Sequence, residues 1–302
     1  MSGTKSTTVL KVAVLQFSSS ADCEKNFSLC KNLIVAAANE GASFLCLPEC
    51  FHFIGDGTIK SYDVAETLDI DSPLNASPTI KKYQKLAQDL SVGLSLGGFP
   101  ELSTEKGKVF NSHIIIAPDG RISSIYRKIH LFDYKSGNLM ESSFTTAGDD
   151  LVVDTCTGSK IGLSTCYDVR FPEMYTSLRS LGANVLLVPA AFTVATGRAH
   201  WEVLLRARAI ENQCFVLAAA QIGQHNDKRA SFGGSMIIDP WGKVLARCAD
   251  CDNKVQKGER EIFNVGVFAL ADLDFYDLTD IREKMPVKKH TRFSAHKIPE
   301  EK

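Results

Sequence analysis

The chain has 302 residues, 44% of them hydrophobic and 23% charged, which is ordinary usage for a globular protein with a large core. A formal charge of −1 excludes a global field that would gather nucleic acid or an acidic membrane surface, and no apolar run is long enough to span a bilayer. Nine cysteines, an odd number in a chain that opens without the apolar stretch of a secretion signal, read as free thiols in a reducing compartment, so a cytoplasmic protein is expected. Residues 1–9 read as a frayed tail. Residues 10–16 are apolar and β-branched, and read as a strand. Residues 26–39 repeat apolar side chains at helical spacing through Phe27, Cys30, Leu33, Ile34 and Ala37. A short buried strand over 44–47 is stopped by Pro48, and 78–90 is helical with Lys81, Lys82 and Lys85 on its wet face. Strands are expected near 92–97, 111–117 and 122–126. A second series follows: strand 160–165, helix 172–181, strand 184–188, helix 199–213, then strands near 214–220, 234–239 and 266–272. Most of these strands are continuously apolar, which predicts burial on both sheet faces. Residues 287–302 are charged and aperiodic and read as an arm or tail, leaving 10–286 as one domain.

One internal echo organises the series. Ile115-Ile-Ala-Pro-Asp-Gly-Arg-Ile122 matches Ile237-Ile-Asp-Pro-Trp-Gly-Lys-Val244. Each is a strand, a Pro-x-Gly turn and a returning strand, with proline presetting φ and glycine accepting the left-handed position. Each follows a strand–helix–strand unit. Two such halves predict an α/β fold, a four-layer α-β-β-α sandwich of two face-to-face sheets related by a pseudo-two-fold.

Four places carry candidate chemistry. Cys166, in Gly162-Leu-Ser-Thr-Cys-Tyr-Asp-Val-Arg-Phe-Pro-Glu173, lies where a strand-like run turns toward a helix opened by Pro172 and Glu173. The unpaired amides of a helix start would favour its thiolate, the nucleophilic form. Glu49 follows the buried strand 44–47 directly, at the end where parallel sheets place their clefts; it reads as a general base or as a helix cap. Lys128, in Tyr126-Arg-Lys-Ile-His130, offers a cation for an oxyanion or for a neighbouring thiol, or merely a solvated strand end. Glu141 lies in a polar loop. Cys248-Ala-Asp-Cys251 has CxxC spacing without a second ligand pair, so we expect no metal there. His113, His130 and His200 have no spacing that marks a partner for Cys166, and no phosphate-binding or dinucleotide-binding glycine pattern occurs.

Glu49, Lys128 and Cys166 in that order resemble the nitrilase superfamily, the carbon–nitrogen hydrolases, over about 12–285 of the chain. The family pattern is a Glu after the second strand, here Leu47-Pro-Glu49; a Lys in a YRK segment, here Tyr126-Arg-Lys128; and a Cys in a CYD-x-RFPE segment, here Cys166 to Glu173. Further stretches, among them Phe192-Thr-Val-Ala-Thr-Gly197, Ala218-Ala-Ala-Gln221 and Asn226-Asp-Lys-Arg-Ala230, resemble the Nit branch and, within it, the deaminated glutathione amidases more than the ω-amidases. The resemblance implies amide hydrolysis through a cysteine thioester. Glu49, Lys128, Cys166 and Glu141 would be catalytic, the last aligned across a short loop, and Arg170, Phe192, Thr196 and Tyr167 would bind substrate. For Arg170 a structural ion pair with Asp168 or Glu173 stands as the other reading. No metal or organic cofactor is implied. The partner is a small keto-amide, without nucleic acid or membrane, and the chain is expected to form a homo-oligomer, a dimer or tetramer. An ω-amidase acting on 2-oxoglutaramate, and a catalytically silent binding protein, remain the alternatives.

Overall fold

The computed structural model describes residues 9–55, 60–70, 77–134, 139–252, 259–262 and 266–292. The first half runs β1 (Val9–Phe17), α1 (Cys23–Asn39), β2 (Phe44–Leu47), α2 (Pro78–Leu90), β3 (Gly93–Leu102), β4 (Val109–Ile116) and β5 (Ile122–Arg127), then the two short strands β6 (Asp133–Tyr134) and β7 (Leu139–Met140). The second runs β8 (Val153–Asp154), β9 (Ile161–Leu163), α3 (Pro172–Ser180), β10 (Val185–Leu187), α4 (Val194–Asn212) and β11 (Phe215–Ala218). A hairpin of β12 (Ile222–Asn226) and β13 (Arg229–Phe232) precedes β14 (Met236–Ile238) and β15 (Val244–Arg247). The chain then returns through β16 (Glu259–Ile262) and β17 (Gly266–Asp274) to α5 (Phe275–Lys284) and the single turn α6 (Val287–His290).

Helix starts follow their caps. Asp22 accepts from Lys25 N and starts α1 ahead of the periodic apolar residues. Ser77 accepts from Ile80 N, with Pro78 in the first turn of α2. Thr193 accepts from Thr196 N and starts α4 at Val194, earlier than the pattern from 199 onward indicates, because the first turn is polar and its cap alone marks it. The hairpin β12–β13, β16 and α5 have no counterpart in the sequence reading. The expected tail from 287 begins instead with the turn of α6; residues 1–8 and 293–302 lie outside the described residues.

Two sheets form, one ordered β16-β17-β1-β2-β3-β4-β5 and the other β15-β14-β11-β10-β9-β8. Apart from β16 at the edge of the first, the two sheets match strand for strand. β1, β2 and β3 are parallel, as are β9, β10 and β11. In each half two antiparallel strands follow on one side, β4–β5 and β14–β15, and one antiparallel neighbour lies on the other, β17 and β8. The two Pro-x-Gly turns close alike: Gly120 N–H donates to Ala117 O and Gly242 N–H to Asp239 O, both at 2.9 Å. Their φ values are 87° and 86°, a region that favours glycine.

Continuous apolarity sorts by period two into two layers of core. From β1, Val12 and Val14 face the second sheet, while Ala13, Leu15 and Phe17 face α1 and α2. β2 divides likewise, with Phe44 and Cys46 inward and Leu45 and Leu47 outward. Tyr175, Leu178, Trp201 and Leu205 from α3 and α4 cover the second sheet. The result is helices, sheet, sheet, helices, with the ends of β2, β5 and β9 converging at one edge of the inter-sheet layer.

Candidate active site

Glu49 leaves the end of β2, Lys128 the end of β5, and Cys166 opens a 3-10 turn (Cys166–Arg170) after β9. Glu141 opens a second 3-10 turn after β7. All four are buried. Lys128 Nζ donates to Glu49 Oε1 at 3.1 Å and to Glu141 Oε1 and Oε2 at 3.0 and 2.9 Å. Asn111 Nδ2 joins the two acids, at 3.0 Å to Glu49 Oε1 and 3.3 Å to Glu141 Oε1. The Phe132 amide donates to Glu141 Oε2 at 2.7 Å. A buried ammonium thus sits between two carboxylates, each with further donors, which is the condition for a buried charge to persist.

The segment after β10 fixes the nucleophile against the acid. Cys166 N–H donates to Pro189 O at 2.8 Å, and Ala191 N–H donates to Glu49 Oε2 at 3.0 Å. Glu49 and Cys166 also share a side-chain hydrogen bond. Gln221 Nε2 holds the Glu49 carbonyl at 3.1 Å. Cys166 itself has φ +52°, a left-handed conformation that costs a non-glycine residue about 1 kcal/mol or more and turns its side chain out of the strand direction. The Tyr167 N–H, next in the turn, has no acceptor among the described residues.

The charge states follow from the burial. Burial and the Glu49 carboxylate beside it push the Cys166 thiol well above its ordinary value, and Lys128 only partly offsets them. Burial alone would raise Glu49, but the Lys128 charge and the hydrogen bonds from Cys166 and Lys128 outweigh it and hold the carboxyl below its ordinary value. Lys128 is raised well above its ordinary value: burial opposes the charge, and Glu141 and Glu49 overcome it. At neutral pH the cluster is therefore thiol, carboxylate and ammonium. This corrects the expectation that a helix start favours a resting thiolate. The 3-10 turn intervenes, α3 begins only at Pro172, and desolvation dominates.

The expected substrate residues border this cluster unequally. The Arg170 guanidinium lies 5.4 Å from the Phe192 ring centroid and 5.7 Å from that of Tyr167, and donates toward His200 Nδ1 at 3.3 Å. It pairs with neither Asp168 nor Glu173. Asp168 is occupied instead by Tyr126 Oη at 2.6 Å, the Thr165 amide at 2.8 Å and His130 Nδ1 at 2.8 Å. Thr196 is committed to the start of α4, its hydroxyl 2.8 Å from that of Thr193. His113 is buried between Ser95 and the Ser164 carbonyl, and burial pushes it down to about 4. Asn111 and the Pro189–Ala191 segment were not foreseen from the sequence, since neither carries a motif; only the folding of β4 and β10 beside β5 and β9 brings them in.

This fold and cluster define a hydrolase architecture, and the chain belongs to the carbon–nitrogen hydrolase family, whose pattern matches residues 11–261. It is 43% identical over 296 residues to the deaminated glutathione amidase of Dictyostelium discoideum, covering 95% of this chain and 96% of that one. It is 42% identical over 288 residues to the human protein of the same name, covering 93% and 82%. Among solved structures it resembles the NitFhit protein of C. elegans, at TM-score 0.81 and 42% identity over 95% of this chain and 66% of that longer one. It also resembles Nit3 of Saccharomyces cerevisiae, a member of the nitrilase superfamily, at TM-score 0.76 and 27% identity over 94% and 97%. Among the described residues no helix is long and apolar enough to cross a membrane.

Proposed function

We propose that the protein is an amidase that hydrolyses deaminated glutathione to 2-oxoglutarate and cysteinylglycine, a metabolite-repair reaction. The observation that carries the chemistry is the buried contact of a protonated Cys166 with an ionised Glu49 that is itself held by Lys128. Relatives named deaminated glutathione amidase at 40–43% identity support the choice of substrate.

In the proposed mechanism Glu49 takes the Cys166 proton as sulfur attacks the amide carbonyl. The developing oxyanion meets the Lys128 ammonium and the Tyr167 N–H; one such donor is typically worth about 10²- to 10³-fold in rate. Protonated Glu49 then gives its proton to the leaving nitrogen as the carbon–nitrogen bond breaks, leaving a thioester. Water attacks next, Glu49 takes its proton, the carbon–sulfur bond breaks and the thiol is restored. Glu141 and Asn111 keep Lys128 and Glu49 in place. Arg170 binds the keto-acid carboxylate over Tyr167 and Phe192, with Thr196 at the pocket's margin. No step needs a metal or organic cofactor. The protein is further read as a cytoplasmic homo-oligomer.

The test is product release from two keto-amides. Cysteinylglycine should form from deaminated glutathione at a higher kcat/KM than ammonia from 2-oxoglutaramate. The reverse preference would make the protein an ω-amidase. Cys166→Ala should fold and lose both activities; retained turnover, or no turnover of either compound by the unaltered protein, would sink the mechanism.

A further inference from the structure

Arg229 lies in Asn226-Asp-Lys-Arg-Ala230, a stretch whose spacing marks no chemistry. It opens β13, paired with Asn226 across the hairpin. That strand is tied to the loop that carries Phe192: Thr193 bridges Ser231, and Phe232 N–H donates to Phe192 O at 3.0 Å. The hairpin's first strand starts just after Gln221, whose amide holds the Glu49 carbonyl. These attachments bring the Arg229 side chain, half-buried, to the Glu49–Cys50 corner. There it contacts the Cys50 thiol and its charge acts on both Glu49 and Cys166. Cys50 reaches that corner through a left-handed backbone, φ +58°, with its amide on Gly98 O at 3.2 Å.

No carboxylate among the described residues forms an ion pair with Arg229. The same holds for Arg170. The site therefore has two cations outside any ion pair with a described carboxylate, Arg170 at the end of the Cys166 turn and Arg229 at the Glu49–Cys50 corner, beside a cluster in which Lys128 is already shared by two acids. A guanidinium that is half-buried and unpaired is a ready carboxylate receptor. Deaminated glutathione carries two carboxylates, one on the keto-acid arm and one at the end of the departing dipeptide. Direction follows from the chemistry. The group that protonates the leaving nitrogen must lie beside it, so the leaving group extends past Glu49, the side on which Arg229 stands, while the acyl arm extends along the Cys166 turn toward Arg170.

We propose that Arg229 is a specificity-determining residue of the leaving-group subsite, binding the terminal carboxylate of the departing dipeptide; this rests on the amidase reading above. The experiment compares Arg229→Gln with the unaltered protein on deaminated glutathione and on 2-oxoglutaramate, whose leaving group, ammonia, has no carboxylate. The expected result is a rise in KM and a loss of kcat/KM on deaminated glutathione roughly 10- to 100-fold greater than the loss on 2-oxoglutaramate, where only the action of the Arg229 charge on Glu49 and Cys166 is removed. Arg229→Lys should recover part of the loss. Cysteinylglycine, as an inhibitor of 2-oxoglutaramate hydrolysis, should bind the Gln variant more weakly by a similar factor. Equal losses on both substrates with unchanged inhibition would overturn the proposal and assign Arg229 to tuning Glu49 and Cys166. Unchanged kinetics on both would overturn it too. If Arg229→Gln does not fold, the Lys variant decides by the same ratio of substrates. Absence of turnover in the unaltered protein would remove the proposed function itself, a distinct outcome.

Discussion

Cys166, the nucleophile of the proposed mechanism, rests protonated. Three facts bear on it together: burial, an ionised acid in hydrogen-bond contact, and an ammonium close enough to offset only part of their effect. The proton therefore leaves in the attack step, to Glu49. Two consequences can be measured. Alkylation of Cys166 by iodoacetamide should be slow at neutral pH and rise only beyond the ordinary thiol value of 9.0, whereas a helix-activated thiolate would alkylate at a pH-independent rate. Glu49→Gln should then move two readouts in opposite directions. Amidase activity falls by a factor of about 10² or more, because the base is gone. Alkylation near neutral pH speeds up, because the charge that raised the thiol is gone too. For kcat/KM the sign is set by Glu49: its carboxyl lies below the ordinary 4.5, so the acid limb lies below that pH and the profile is flat through neutrality. A limb centred near 7 would contradict this.

At the level of elements, the site depends on how closely β3 passes the segment after β10. A Cβ built on Gly97 would lie 2.1 Å from Pro189 Cβ and 2.8 Å from Leu47 O, so only glycine permits this approach. Pro189 O holds the Cys166 amide, and Ala191 N–H holds Glu49. Gly97→Ala should therefore cost about 1–3 kcal/mol in denaturant unfolding and also lower kcat, because the added methyl pushes that segment away from both groups. A stable variant with full activity would show that the segment does not set the geometry. The two Pro-x-Gly hairpins were legible as an echo because turn chemistry is local, and both occupy matching places in their sheets. The β12–β13 hairpin was not legible: Gln224, His225 and Asn226 are polar, and its partner strand brings Arg229 in by tertiary contact with the Phe192 loop rather than by any apolar period.

For the whole molecule, the inner faces of the two sheets share one core, so the halves stabilise each other and the cleft at their edge is rigidly defined. The outer surface is less complete. Val203 and Ile210 lie two turns apart on one face of α4, 70% and 45% exposed, and Trp241, 63% exposed, precedes Gly242, which packs against Ile210. An apolar patch of this kind fits a second copy of the chain. Light scattering should give a multiple of the chain mass, and Val203→Glu with Ile210→Glu should reduce it toward the monomer; a monomer from the unaltered protein would rule out the oligomer.

The sequence by itself determined most of the strands and helices of both halves, their pairing into two sheets, and the candidate residues Glu49, Lys128 and Cys166. Each of these is written locally, in apolar period, turn residues or a short motif. The tertiary structure alone decided the charge states of those residues, since burial and neighbours brought in by folding set them: Glu49 lies 79 residues from Lys128 and 142 from the Ala191 amide that holds it. It also decided that Asp168 serves Tyr126 and His130 rather than Arg170, which frees one guanidinium, and that a polar hairpin carries a second, Arg229, to the Glu49–Cys50 corner. Long-range electrostatics and the passage of one backbone past another leave no trace in residue spacing, which is why Cys166 could be singled out as the candidate nucleophile and its resting protonation could not be read.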